Sequence, residues 1–312
     1  MNAKKSGWLF LMVICIYIAV TVLLSKVKLN ISLTGSLFLS EAIIWIPTLL
    51  FLFAKKVNPI KFCRFKKLHF STVLMTFLFS LLVMPAATLM NVISMFFVDN
   101  AIAPMTVDML SAGFIIMFFM VAIHAPLAEE FVFRGAIFQS CKNSASPLKA
   151  ILLSALLFGL MHLNLNQAGY AFVLGIAMAL LVEATDSIWA SFICHLTVNA
   201  RSVVTLFGAQ KLSTYIGDLL GTGGLEENLM NALNADVTNK QLFMMLCFEV
   251  FMVAVCLPVA GCVLVWIAKK EGREANIRAL WKERKAGKVF SVPVLLAILI
   301  SAGFMAYAVL LI

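Results

Sequence analysis

Nine long apolar stretches separated by short polar segments run the length of the chain. They fall at roughly 7–25, 36–54, 70–97, 112–141, 148–163, 167–184, 187–207, 241–268 and 290–311. Most approach the roughly 20 residues that a helix needs to cross a hydrocarbon core about 30 Å thick. The third, fourth and eighth are longer, which predicts tilt or protrusion from the bilayer. The fifth and sixth are short and meet at the polar stretch LNLNQ, residues 163–167. The pattern predicts an all-α fold, a polytopic membrane helical bundle of about eight to nine transmembrane helices. The first stretch has the look of a signal peptide, but it is too long and no small-x-small cleavage site follows it, so it reads as a retained helix. No internal repeat of the transporter kind is visible.

Composition sharpens this reading. The 312 residues are 62% hydrophobic and 12% charged, against about half and about a quarter in soluble domains. The net charge of +9 does not indicate nucleic acid, because the cations cluster in a few short loops, as membrane topology requires. Six lie in 55–69 (Lys55, Lys56, Lys61, Arg64, Lys66, Lys67) and eight in 269–289, whereas 98–111 has none and 208–240 has only Lys211 and Lys240. Nine spans with a cytoplasmic N-terminus put both basic loops in the cytoplasm. Lys4 and Lys5 agree with that orientation, and Lys26 and Lys28 dissent. The expected location is a cell membrane, multi-pass, of bacterial cytoplasmic type. The seven cysteines include no CxxC pair and read as free thiols. The 208–240 loop has a Gly-rich centre followed by a weakly amphipathic run, which suggests a surface helix or lid.

Charges at membrane depth cost at least about 2.5 kcal/mol each on insertion scales, so those that persist face the protein and find partners. The candidates are Glu41, His124, Glu129, Glu130, Arg134, His162, Glu183, His195, Arg201 and Glu249. Glu130 and Arg134 are spaced i,i+4 and share a helix face. That pairing lowers the insertion cost of both, and locking the helix is a sufficient reason for it. Glu129 points about 100° away and cannot share Arg134 equally. A carboxylate without a partner at low dielectric is a stronger base than in water, which suits a general base. Pro126 is expected to kink or loosen this helix. His162 follows Phe158 by four residues. It reads either as part of a site or as a polar helix end, since Asn164 and Asn166 follow it. His195 and Asn199 are again i,i+4. Together these residues suit hydrolysis: a carboxylate and an imidazole to hold and deprotonate water, and a second imidazole and an amide to stabilise an oxyanion. The same atoms suit a metal, since one Glu and two His make a zinc ligand set with an open position, although no HExxH spacing supports it.

Glu129-Glu130-x-x-x-Arg134, with Phe133 and Gly135 flanking the arginine, then Phe158-x-x-x-His162, then His195-x-x-x-Asn199, resembles the CPBP family of CAAX proteases and bacteriocin-processing (Abi) enzymes. The likeness covers about residues 112–207. It implies an intramembrane peptidase with a four-helix catalytic core. By that resemblance Glu129 would activate water with help from His162, His195 and Asn199 would form the oxyanion site, and Glu130 and Arg134 would brace the pocket. No cofactor is expected. If the enzyme were metal-dependent, Glu129, His162 and His195 would hold a divalent ion such as zinc.

The expected organisation is N-terminal transmembrane helices at 1–111, the catalytic core at 112–207, and an extramembrane loop with C-terminal helices at 208–312. The expected partners are membrane lipid and a peptide or membrane-protein substrate, with no nucleic acid; the oligomeric state is open. His124, five residues before Glu129, faces elsewhere and reads as a supporting or core histidine. Glu41, Glu183 and Arg201 read as partners for buried groups, and Glu249 has no assigned role. Two other functions compete: a non-proteolytic immunity or regulatory protein that keeps the polar cluster for packing, and a proton-coupled transporter. Straight helices would set Glu129, about 25 Å along the fourth span, and His162, late in the fifth, at different depths. A shared site therefore requires span boundaries that differ by a turn or two.

Overall fold

The structure, a computed structural model, describes residues 1–27, 31–220, 238–280, 282, 287 and 289–310. Among the described residues there is no strand. Nine long helices carry the architecture: α1 (Ala3–Val27), α2 (Leu33–Ala54), α3 (Phe70–Ser94), α4 (Phe114–Lys142), α5 (Pro147–Met161), α6 (Leu165–Thr185), α7 (Ile188–Leu220), α8 (Asn239–Lys270) and α9 (Val292–Leu310). Eight are long and apolar enough to span a bilayer, so the chain is a polytopic all-α membrane bundle. α6 is the central element, buried over 61% of its apolar stretch against 22–39% for the other seven spans. It packs on α5, α3 and α7, while α8 lies along α3 and α9 along α1. Large apolar side chains such as Phe70, Leu74, Phe77 and Leu81 of α3 face outward, where lipid takes the place of a core.

The fifth apolar stretch, expected at 148–163, forms α5, which is shorter than the eight spans. α5 has 15 residues, about 22 Å at 1.5 Å per residue, short of the hydrocarbon core. Leu163 takes a left-handed conformation (φ 50°) that ends the helix, and Asn164 starts the next by accepting from the Gln167 N–H. α5 and α6 therefore form a tight hairpin whose turn carries His162. Gly159 makes this possible, because a Cβ there would sit 2.6 Å from the Ala168 carbonyl oxygen. The seventh stretch, by contrast, runs past 207 to Leu220. Only polarity falls there, and neither Gly208 nor Gln210 stops a helix that has no proline to break it. The expected lid or surface helix falls mainly at 221–237, outside the described residues.

The basic segments converge at one end of the bundle. Asp186 binds Lys66 and Arg64, Glu183 binds Lys142 and Arg273, and Glu271 accepts from His69 and Thr72. The Ala3 N–H donates to Ser144 Oγ (2.9 Å) at the same end. Glu183 is thus a buried partner, as expected, but it sits at the end of α6. At the opposite end Asn166 donates to Asn91 Oδ1 and Ser94 Oγ, both at 2.9 Å, and accepts from the Ala101 N–H.

Candidate active site

α4 carries the first motif, and it is irregular on both sides of the glutamates. Residues 118–124 and 131–138 form π-helical turns around the α-helical segment Ala125–Glu130. Such turns widen a helix and are frequent at functional sites. In the first π turn the Ala125 N–H bonds to the Met120 carbonyl, five residues back. The next N–H in that register, which would answer Val121, belongs to Pro126, which has none. Asn199 of α7 supplies it, its Nδ2 donating to the Val121 oxygen at 2.9 Å. The expected loosening at Pro126 thus takes the form of a π turn stitched to α7.

Glu130 and Arg134 are both fully buried and pair as their spacing predicts, with Nη1 to Oε1 at 2.8 Å. His195 Nδ1 lies 3.0 Å from the same Oε1. The arginine makes Glu130 a carboxylate, which only accepts, so Nδ1 carries the hydrogen. In the neutral ring this leaves the lone pair on Nε2, 3.6 Å from Glu129 Oε2. His195 therefore bridges the two glutamates, which spacing alone did not reveal. His162 is set in the same way: Nδ1 lies 2.9 Å from the Phe158 carbonyl, so Nδ1 donates and Nε2 keeps its lone pair.

Phe158, 2% exposed, is the hub of the arrangement. The Arg134 guanidinium sits 4.2 Å from its ring centroid, and Arg134 Nε and Nη2 have no hydrogen-bond partner among the described residues, so the ring face answers them. His162 and His195 meet the ring edge-on at 5.1 and 5.7 Å, and Phe133 packs on it at 5.1 Å. Phe158 had been singled out only as a motif position; nothing in an apolar helix distinguishes a hub phenylalanine from an ordinary core one.

Glu129, His162, His195 and Asn199 all line one cavity of about 540 Å³. Sequence reasoning did not place Tyr17, Glu41, Asn91 or Tyr170 there, yet each contributes to the wall. His124 is elsewhere, stacked on Phe38 at 5.3 Å. Two histidines anchored through Nδ1–H, with Nε2 free, would suit metal ligands. However, no three such groups among the described residues come close enough together to hold an ion. In this arrangement the residues do not fit a metal site.

The fold and cavity define a class: a polytopic helical membrane protein with a buried Glu/His centre. Residues 111–201 match the family described as type II CAAX prenyl endopeptidase, Rce1-like. The chain is also 29% identical over 89 residues to "Putative membrane peptidase YdiL" of Bacillus subtilis (strain 168). That match takes in 28% of this chain and 36% of the relative, so the chain spans about a third of the length of the protein it resembles. No solved structure matches the chain.

Proposed function

We propose that this protein is an intramembrane endopeptidase that hydrolyses a peptide bond in a membrane-associated peptide or protein with water activated by Glu129. The observation that carries the reading is the convergence of Glu129, His162, His195 and Asn199 on one cavity within the bundle, beside a Glu130–Arg134 ion pair. Glu129 takes a proton from water, and the oxygen attacks the peptide carbonyl carbon. The His162 Nε2 lone pair orients that water. His195, held by Glu130, receives the proton through Nε2 and then donates to the developing oxyanion. The second N–H of the Asn199 amide, the first being held by Val121, is the other donor. Collapse of the tetrahedral intermediate passes the proton to the leaving amine as the C–N bond breaks. No step runs through a metal. The end rich in Lys and Arg faces the cytoplasm by the charge rule, in a bacterial membrane.

The test is cleavage of a quenched peptide library by the purified protein in detergent, with and without chelator, beside Glu129→Gln. Loss of a proton-transfer group lowers rates by about 10²–10⁴, and the ion-pair contact of Glu129 among the described residues is the long 3.6 Å approach to His195. We expect activity to vanish at an unchanged melting temperature, and the chelator to have no effect. A variant that cleaves as fast as wild type would overturn the assignment, and inhibition by chelator would restore the metal. Absence of cleavage, with a lower melting temperature in the variant, would favour the immunity or regulatory reading.

A further inference from the structure

Glu41 is not used by the mechanism above, and its surroundings are unusual for a glutamate. It sits on α2 between Leu37 and Ile44, at helical spacings of four and three, so that all three face the cavity. It is 7% exposed, and its Oε2 is enclosed with no hydrogen-bond partner among the described residues. The other buried carboxylates each have a cationic partner: Glu183 has Lys142 and Arg273, and Glu130 has Arg134 with His195, both on Oε1, its Oε2 being enclosed like that of Glu41. Glu129 lies within electrostatic reach of Glu41, so the wall carries two carboxylates close together. Among the described lining residues the one Lys or Arg is Arg201, which is exposed and already stands in the field of Glu249 on α8. Tyr17 lines the same wall near both carboxylates but does not bond to Oε2.

A polar group enclosed without a partner is costly unless a ligand supplies one. A backbone N–H of the substrate would satisfy the hydrogen bond but bring no positive charge to the two carboxyl groups. A lysine or arginine side chain would satisfy both, and its apolar stem would lie along Leu37 and Ile44. We propose that Glu41 is a specificity-determining residue that binds a basic side chain of the peptide held in this cavity. The proposal rests on the peptide-processing reading of the site.

The experiment uses the full chain in detergent and matched quenched peptides that differ at one position, lysine against norleucine, which keeps the stem and removes the amine. Cleavage is read as the ratio of kcat/KM. Binding of non-cleavable fluorescent versions of the same peptides is read separately. Wild type should favour lysine by roughly tenfold or more, the scale of a charge-assisted bond. The ratio should fall toward one in Glu41→Gln, and in Glu41→Lys the preference should shift to a glutamate-bearing peptide. A wild-type ratio near one overturns the proposal whatever the variants do, and leaves the peptidase reading standing. Lysine-selective binding that Glu41→Gln abolishes, without cleavage of any peptide, upholds Glu41 and sinks the peptidase reading. Neither binding nor cleavage overturns both.

Discussion

Replacing Arg134 with methionine tests the construction of the site most directly. The side chain is fully buried, so solvent cannot compensate for what the substitution removes. Two contacts are lost: the 2.8 Å bond to Glu130 and the guanidinium face on Phe158 at 4.2 Å. A hydrogen bond between charged groups contributes about 1.5–3 kcal/mol, and a desolvated cation–π contact about 2. Their sum agrees with the roughly 3–5 kcal/mol expected when one partner of a buried ion pair is deleted and the other charge is left behind. Most of that loss belongs to the stranded Glu130. The double variant Glu130→Gln/Arg134→Met strands no charge and keeps an acceptor for His195 Nδ1. It should recover all but about 1–2 kcal/mol, roughly what the missing ring contact is worth. Reversible unfolding in mixed micelles, read as a double-mutant cycle, measures both. A double variant as unstable as Arg134→Met, or a single variant within about 1 kcal/mol of wild type, would refute the reasoning.

Gly159→Ala should force the α5–α6 hairpin apart, because its Cβ meets backbone at 2.6 Å. Overpacking of this kind costs about 1–3 kcal/mol, and it should lower kcat by displacing His162, whereas an unchanged melting temperature and rate would show that the close approach is not needed. Asn199→Leu leaves the Val121 carbonyl unanswered, a loss of about 1–3 kcal/mol, and Asn199→Asp, which cannot donate, should melt as early, while an Asp variant as stable as wild type would remove the stitch. Glu271, just beyond α8, gives the pH dependence: burial pushes its carboxyl up, but hydrogen bonds from Thr72 and His69 and the charge of His69 outweigh this and hold it below the ordinary 4.5. A depressed carboxyl contributes stability that is complete above its unfolded value and is lost as pH falls through its lower folded value. The melting temperature should therefore decline below about pH 4.5, and less steeply in Glu271→Gln; equal slopes would show that Glu271 carries none of it.

Lipid makes polar residues conspicuous, and that decides which parts of this site can be read from the chain. Charges in an apolar helix must be partnered, so Glu130 and Arg134 declared their pairing through a spacing of four, and the cationic loops could be grouped before the structure gathered them at one end through Asp186 and Glu183. What remained hidden is the apolar or distant half of each interaction. α5 stops because Leu163 turns left-handed, and a leucine gives no such signal, so the tight hairpin that brings His162 to one cavity with Glu129 could not be read from hydropathy. The π turn beside the glutamates depends on Pro126 and on Asn199, 73 residues later, and no local periodicity joins them. Glu41 could be flagged as buried, but α2 is apolar on every side, and only packing shows which face meets the cavity. Phe158 is the clearest case. Arg134, His162 and His195 come from three helices and take their orientations from one ring, which in the sequence is one phenylalanine among 26. The groups that would act on a substrate are therefore legible as breaches of the membrane's rule, while those that aim them obey it and look like core. It follows that Phe158→Leu, which preserves apolarity and most of the volume, should disturb three polar residues at once, lowering activity well beyond the stability it loses.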